Sequence, residues 1–213
     1  MSEANEKHID WRKFTKETQL SEDTIRALQN VLDWTYVSKY QKLSEAFMTE
    51  FKDKIDWNLI SEFQILSDAF MRANISRINW GKISQHQKLE ERFMLDYQAQ
   101  LHWEKVSQYQ KLTPQFIKEY YYLLNMKHVS KYQKLDIGAI QEMQDILHMP
   151  SIYRYQELSE AFVLEHFKDF EEEENICDSL ILNSNTSPTV INTIYKRWVL
   201  HFLREICRKV SHD

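Results

Sequence analysis

The sequence predicts an all-α solenoid of seven short two-helix repeats, closed by a C-terminal helical cap. Three observations carry this reading. Trp11, Trp34, Trp57, Trp80, Trp103, Met126 and Met149 recur at a constant spacing of 23 residues, and a fixed period of that size marks stacked repeat units. Two helix-start signals fall inside every period. Only two glycines and three prolines occur in 213 residues, too few for a turn-rich β architecture.

Residues 33–55, DWTYVSKYQKLSEAFMTEFKDKI, align without a gap on 56–78, DWNLISEFQILSDAFMRANISRI. The first start signal precedes the Trp or Met: Asp10, Asp33, Asp56, Asn79, His102, Asn125 and His148. Asp and Asn are strong N-caps, so a helix A begins here. Three residues after the Trp or Met come Phe14, Val37, Ile60, Ile83, Val106, Val129 and Ile152. Three further on stand Tyr40, Phe63, His86, Tyr109, Tyr132 and Tyr155. These offsets predict one apolar stripe on helix A, with the Trp column in the core.

The second signal is a leucine column: Leu20, Leu43, Leu66, Leu89, Leu112, Leu135 and Leu158. After each leucine comes Ser21, Ser44, Ser67, Glu90, Thr113, Asp136 or Ser159, six of the seven being good caps for a helix B. Glu22, Glu45, Asp68, Glu91 and Glu160 suit its positive end, Pro114 its first position, and the leucine a hydrophobic staple. Helix B, expected to run about 11 residues, carries the larger apolar load, including Phe47, Phe70, Phe93, Phe116 and Phe162. At that length it depends on its neighbours for stability. Gln41, Gln64, Gln87, Gln110, Gln133 and Gln156 follow the aromatic column, with Thr18 departing. Their constancy favours a structural role, satisfying carbonyls at the end of helix A or forming a ladder between repeats.

The period covers residues 10–170, leaving a tail at 1–9 and a cap at 171–213 that begins with the acidic run 171–174. A short helix is expected around Ile176–Leu182. A final helix near 188–210 follows, started by Ser187 and Pro188. Its wide apolar face implies burial on two sides, against the last repeat and a partner chain, with a homodimer the simplest symmetric arrangement. A basic amphipathic membrane helix is the sharper alternative for this segment.

Function is less marked. The N-terminus lacks a secretory pattern and no run approaches a membrane span, so an intracellular, cytoplasmic setting without membrane attachment is expected. Cys177 and Cys207 then read as free thiols, and the sequons at Asn74 and Asn185 carry no meaning. Gly81 and Gly138 cannot make a phosphate loop, and no His-x-x-x-His or Cys-x-x-Cys spacing occurs. No catalytic residue, metal ligand or cofactor is expected. What stands out is charge. Although the chain carries −5, the outward offsets of helix A hold thirteen lysines and arginines against three glutamates. Lys39, Lys42, Lys82, Lys88, Lys105, Lys111, Lys127, Lys131, Lys134 and Arg154 form the candidate binding face. Lysine predominates over arginine, favouring diffuse attraction over bidentate recognition. A solvated lysine face chosen for solubility is the bland alternative. Few exposed aromatics are expected on this face, Tyr36 being the clearest.

The pattern D-W-x-x-I-S-x-Y-Q-x-L-S-E-x-F, carried by residues 37–47 and by Ile60, Ser61, Gln64, Leu66 and Ser67, resembles short helical repeats of proteins from large DNA viruses and bacteriophages. The resemblance spans residues 10–170 and transfers no functional residue. It implies a viral or phage origin, where a small non-catalytic repeat protein works by binding a host factor. Two functions are therefore expected in order: a protein-binding module or inhibitor with an acidic partner, then a nucleic-acid-binding protein tracking phosphates along helix A.

Overall fold

The computed structural model describes residues 9–166, 174–196 and 199. Among them every regular element is a helix, and short helices recur with the repeat period, the fold class that the sequence predicts. The chain divides into two compact halves, one ending at Lys105 and the other starting at Val106.

Helix A has seven residues in every repeat: Trp11–Glu17, Trp34–Tyr40, Trp57–Phe63, Trp80–His86, Trp103–Tyr109, Met126–Tyr132 and Met149–Tyr155. The side chains of Asp10, Asp33, Asp56, Asn79, Asn125 and His148 accept from first-turn amides, as N-caps do. Helix B spans Glu22–Ala27, Glu45–Glu50, Asp68–Ala73, Glu91–Asp96, Pro114–Tyr120, Ile137–Glu142 and Glu160–His166. Ser21, Ser44, Ser67, Thr113, Asp136 and Ser159 cap it, while Glu90 makes no side-chain cap bond.

Helix B is shorter than expected, and its end shows why. A longer helix would pair the Lys52 carbonyl with the Asp56 amide. Instead Trp57 Nε1 donates to that carbonyl at 2.8 Å, and the Asp56 amide donates to Ser38 Oγ at 2.9 Å. Trp103 and Ser84 do the same for Gln98 and His102. The serine four residues after the Trp or Met is thus a link between repeats, because its hydroxyl also donates back to the carbonyl of its own helix, as Ser61 does to Trp57 at 2.7 Å.

The core differs from the expected stripe. Val37, Ile60, Ile83, Val106, Val129 and Ile152 are fully buried, and so are Ser38, Ser61, Ser84, Ser107 and Ser130 beside them. Trp11, Trp34, Trp57, Trp80 and Trp103 are only half-buried. Each flanks the core and stacks on helix B, with centroids 6.4 Å apart for Trp34–Phe47, 6.0 Å for Trp57–Phe70 and 6.2 Å for Trp80–Phe93. Phe14, expected inside, is 36% exposed and lies edge-on to Trp11. The aromatic column that ends helix A is not core either. Helix B keeps its expected face, with Phe47, Met48, Phe70, Met71, Phe93, Met94, Phe116, Ile117, Phe162 and Val163 buried.

In the first half each helix A packs on the next, from Trp11–Glu17 to Trp80–His86. In the second half Met126–Tyr132 packs on Met149–Tyr155, which packs on the cap helix Glu174–Ile181. A final helix starts at residue 188, where Ser187 Oγ accepts from Val190 N, and it buries Val190 and Ile194. Residues 167–173, which include the end of the expected repeat region, Arg197, Trp198 and everything after Val199 lie outside the described residues, including Cys207, the basic helix end and most of the face expected to dimerise. No helix among the described residues is long and apolar enough to cross a membrane.

Candidate functional site

The connection between helix A and helix B is built from the glutamine upward. Gln64 Nε2 donates to the carbonyls of Ser38 and Gln41 at 3.0 and 2.8 Å, and its Oε1 accepts from Leu43 N at 3.2 Å. Gln87 repeats this on Ser61, Gln64 and Leu66. In the second half Gln133 serves Ser107, Gln110 and Leu112, and Gln156 serves Ser130, Gln133 and Leu135. The structural reading of this column is therefore correct. It sews the carbonyls freed at the end of one helix A to the following repeat.

The connection leaves the helix at an extended glutamine, with φ −92° and ψ 149° at Gln41, and re-enters at an extended cap, with φ −73° and ψ 155° at Ser44. Side chains on such a strip alternate between faces. Gln41 and Leu43 are buried and Lys42 is exposed. The same holds for Lys88 between Gln87 and Leu89, Lys111 between Gln110 and Leu112, and Lys134 between Gln133 and Leu135. Ile65 holds the equivalent place in the third repeat and is 94% exposed. In each half, each of these repeats thus presents one outward residue on the connection strip.

In both halves rings that end helix A, expected in the core, are exposed. Phe63 is 44%, Tyr109 50%, Tyr132 43% and Tyr155 42% exposed. Lysines lie against Phe63, Tyr132 and Tyr155. Lys39 Nζ is 5.2 Å from the centre of Tyr40 and 5.0 Å from that of Phe63. Lys131 Nζ is 4.8 Å from both Tyr132 and Tyr155, so those two rings are separated by no more than twice that distance. Arg154 lies over Tyr155 at 5.5 Å. Such contacts favour the charged lysine, and the Tyr132 side chain, outweighing burial, raises the pKa of Lys131 above the ordinary value.

The ten expected face residues therefore split. Lys42, Lys88, Lys111, Lys127 and Lys134 are exposed, whereas Lys39, Lys131 and Arg154 lie against rings. Lys82 pairs with Glu62 at 2.6 Å, and Lys105 Nζ donates to the Gly81 carbonyl at 3.2 Å. The Lys82 hydrogen bond, against burial, holds the Glu62 carboxyl below the usual glutamate value. Asp33 is also depressed: burial pushes it up, and the hydrogen bonds from Arg12 and Thr35 together outweigh that. The acids that open helix B are turned toward protein partners. Glu45 accepts from Ser67 N and Oγ at 2.6 and 3.0 Å, and Asp68 pairs with Arg72 at 2.6 Å. Their charge is thereby partly answered.

In the second half a cleft of about 510 Å³ is lined by Lys131, Tyr132, Lys134, Asp136, Tyr155 and Asn185, among others. Its lysines face Asp136 and Glu157, so the cleft has no dominant sign. Among the described residues no three His, Cys, Asp or Glu side chains gather where they could hold a metal ion.

The fold and the exposed residues of each half define a helical-repeat protein with cationic and aromatic side chains on its surface. No protein-family model, curated protein or solved structure matches the chain.

Proposed function

We propose that the chain is a non-catalytic binding module that engages an acidic protein through the connection edge of its repeats. The observation that carries this is found in each half separately: outward lysines at Lys42 and Lys88 with the exposed ring of Phe63 in the first, and outward Lys111 and Lys134 with the exposed rings of Tyr109, Tyr132 and Tyr155 in the second. Aromatic anchors with a charged rim are what protein interfaces use. Long-range attraction by lysines then speeds encounter with an acidic surface. On the resemblance to viral and phage repeats, that partner is a host protein and the module acts as an inhibitor.

The exposed rings also favour a second reading, nucleic-acid binding, because stacking on aromatic side chains is how single strands are held. Two features rank it second. Lys39 and Lys131 already lie against the rings they bridge, so a base has to displace them. The chain's net charge of −5 opposes a polyanion at long range.

The test uses the full chain and a variant with Lys42, Lys88, Lys111 and Lys134 changed to Glu. Protein binding predicts no gel shift with mixed DNA and RNA at moderate salt. It also predicts a host protein retained by the wild type and lost by the variant. A micromolar nucleic-acid shift abolished by the four reversals supports the second reading instead.

A further inference from the structure

We infer that the first half carries a composite docking site at the third repeat, whose occupant is a peptide segment with a large apolar residue flanked by aspartate or glutamate. The inference rests on the protein-binding reading above and names the partner's chemistry and position. It starts from Ile65. That residue occupies the outward place of the connection strip, where the second and fourth repeats carry Lys42 and Lys88. It is 94% exposed although its neighbours Gln64 and Leu66 are buried. Its backbone is fixed on both sides: Gln64 accepts from Leu43 and donates to Ser38 and Gln41, and the Leu66 amide donates to Gln87. An isoleucine held rigidly in water contributes nothing to the fold, and lysine fits the same position in the adjacent repeats.

A single exposed aliphatic side chain is ordinary. What sets this one apart is its surroundings. Phe63, two residues earlier, is 44% exposed, and the Lys39 ammonium sits 5.0 Å from its ring. Lys42 and Lys88 stand one repeat to either side, at about 10 Å per packed helix layer. The arrangement is an apolar centre with cations around it. Of the nearby acids, Glu62 is paired with Lys82 and also acts on Lys39, Glu45 is held by Ser67 and Asp68 by Arg72, which leaves the exposed Lys42 and Lys88 to a partner. Charge complementarity therefore selects acids on the partner at both sides of its apolar group, and excludes a basic or purely apolar segment. A spacing of about two repeats between Lys42 and Lys88 is spanned by about six residues of extended chain. A short linear segment is thus enough.

The experiment is selection on the immobilised full chain from a library of random dodecapeptides, alongside a library of random single-stranded oligonucleotides. Wild type is expected to enrich acidic peptides with a central Leu, Ile, Phe or Trp. Ile65→Ser, which removes only an exposed side chain, should keep the acidic preference and lose the apolar one, lowering affinity for wild-type-selected peptides about tenfold. Lys42→Glu with Lys88→Glu should remove the acidic preference. Thermal unfolding of each variant reports that the fold is kept. The inference is overturned if Ile65→Ser selects the same peptides as wild type, if the selected peptides are not acidic, or if only oligonucleotides are enriched. If these first-half variants still retain the host protein while the four-lysine variant does not, the docking site is wrong and the binding reading stands. Retention by all variants removes both.

Discussion

Asn183 Nδ2 donates to the carbonyls of Tyr153 and Gln156 at 2.8 and 2.9 Å. These are the places that the next glutamine of the ladder would serve, so a cap residue outside the period takes over its donor role. Asn183 is buried, and its own Oδ1 accepts from Asn185 N at 2.9 Å. Asn183→Asp puts an acceptor against two acceptors. It should destabilise the cap and last repeat by about 2–4 kcal/mol, since two buried carbonyls lose their partner. Hydrogen exchange checks this: amides of 149–156 should lose protection while those of 57–63 keep theirs, and equal loss in both places sinks the idea.

A glutamine inside the ladder should matter as much. Gln64→Leu keeps the volume and removes two donated bonds and one accepted bond. The expected cost is roughly 2–5 kcal/mol in denaturant unfolding. A cost below 1 kcal/mol would mean that water replaces the side chain without penalty.

The tryptophan column should be less costly than a fully buried aromatic. Trp57 stacks on Phe70 and donates to the Lys52 carbonyl while remaining half-exposed. Trp57→Phe should lose about 1 kcal/mol, mostly the indole bond. Trp57→Ala should lose about 2–3 kcal/mol, toward the lower end for aromatic truncation. Equal losses in the two variants would show that the stacked ring contributes nothing.

The fourth repeat has a defect that can be repaired. Glu90 occupies the cap position of helix B without a side-chain cap bond, and Asp68 Oδ1 is buried with no hydrogen-bond partner. In the repeats before it, Glu22 and Glu45 reach the cap amides of Ser44 and Ser67. Asp68 is one methylene shorter. Glu90→Ser should therefore stabilise the protein by about 1 kcal/mol, and Asp68→Glu should add to it. Unchanged or lowered unfolding midpoints for both variants argue against this account.

Acid should weaken the first half through Glu62. Its folded-state pKa is depressed by Lys82, so its stabilising contribution is present above the unfolded glutamate pKa and is lost as pH falls through the folded one. Unfolding midpoints recorded from pH 6 downward should fall less steeply in Glu62→Gln than in wild type below about pH 4.5. The pair is near the surface, so salt should shrink the difference. Parallel profiles would exclude a contribution from this carboxylate.

The helix starts were legible because capping chemistry is local: Asp33, Ser44, Thr113 and Ser187 each sit within three residues of the amides they serve, whereas the early end of helix B depends on bonds to another repeat. The ladder role of the glutamines was legible because a constant residue cannot encode a varied ligand. The face of helix A was not. Apolar character pointed to the Trp and Tyr columns, yet the centre of the buried face is Val or Ile with Ser and Gln, two of them polar. Those polar residues are buried because their partners lie in a neighbouring repeat, a relationship that no single window of sequence contains. Displacing the face by this amount moved Phe63, Tyr109, Tyr132 and Tyr155 from the interior to solvent. The cationic row was found from charge alone, while the ring row beside it was missed.

The bonds of Gln41, Gln64, Gln87, Gln133 and Gln156 run one way, each side chain reaching back to the repeat made before it. A chain emerging from the ribosome therefore leaves its newest repeat with open carbonyls until the following glutamine has been synthesised. Folding during synthesis should trail elongation by about one repeat. Asn183 is then the residue whose arrival completes the series. Force recorded on chains stalled at successive lengths would show steps offset by one period from the ends of the repeats, and steps coinciding with those ends would contradict this order of events.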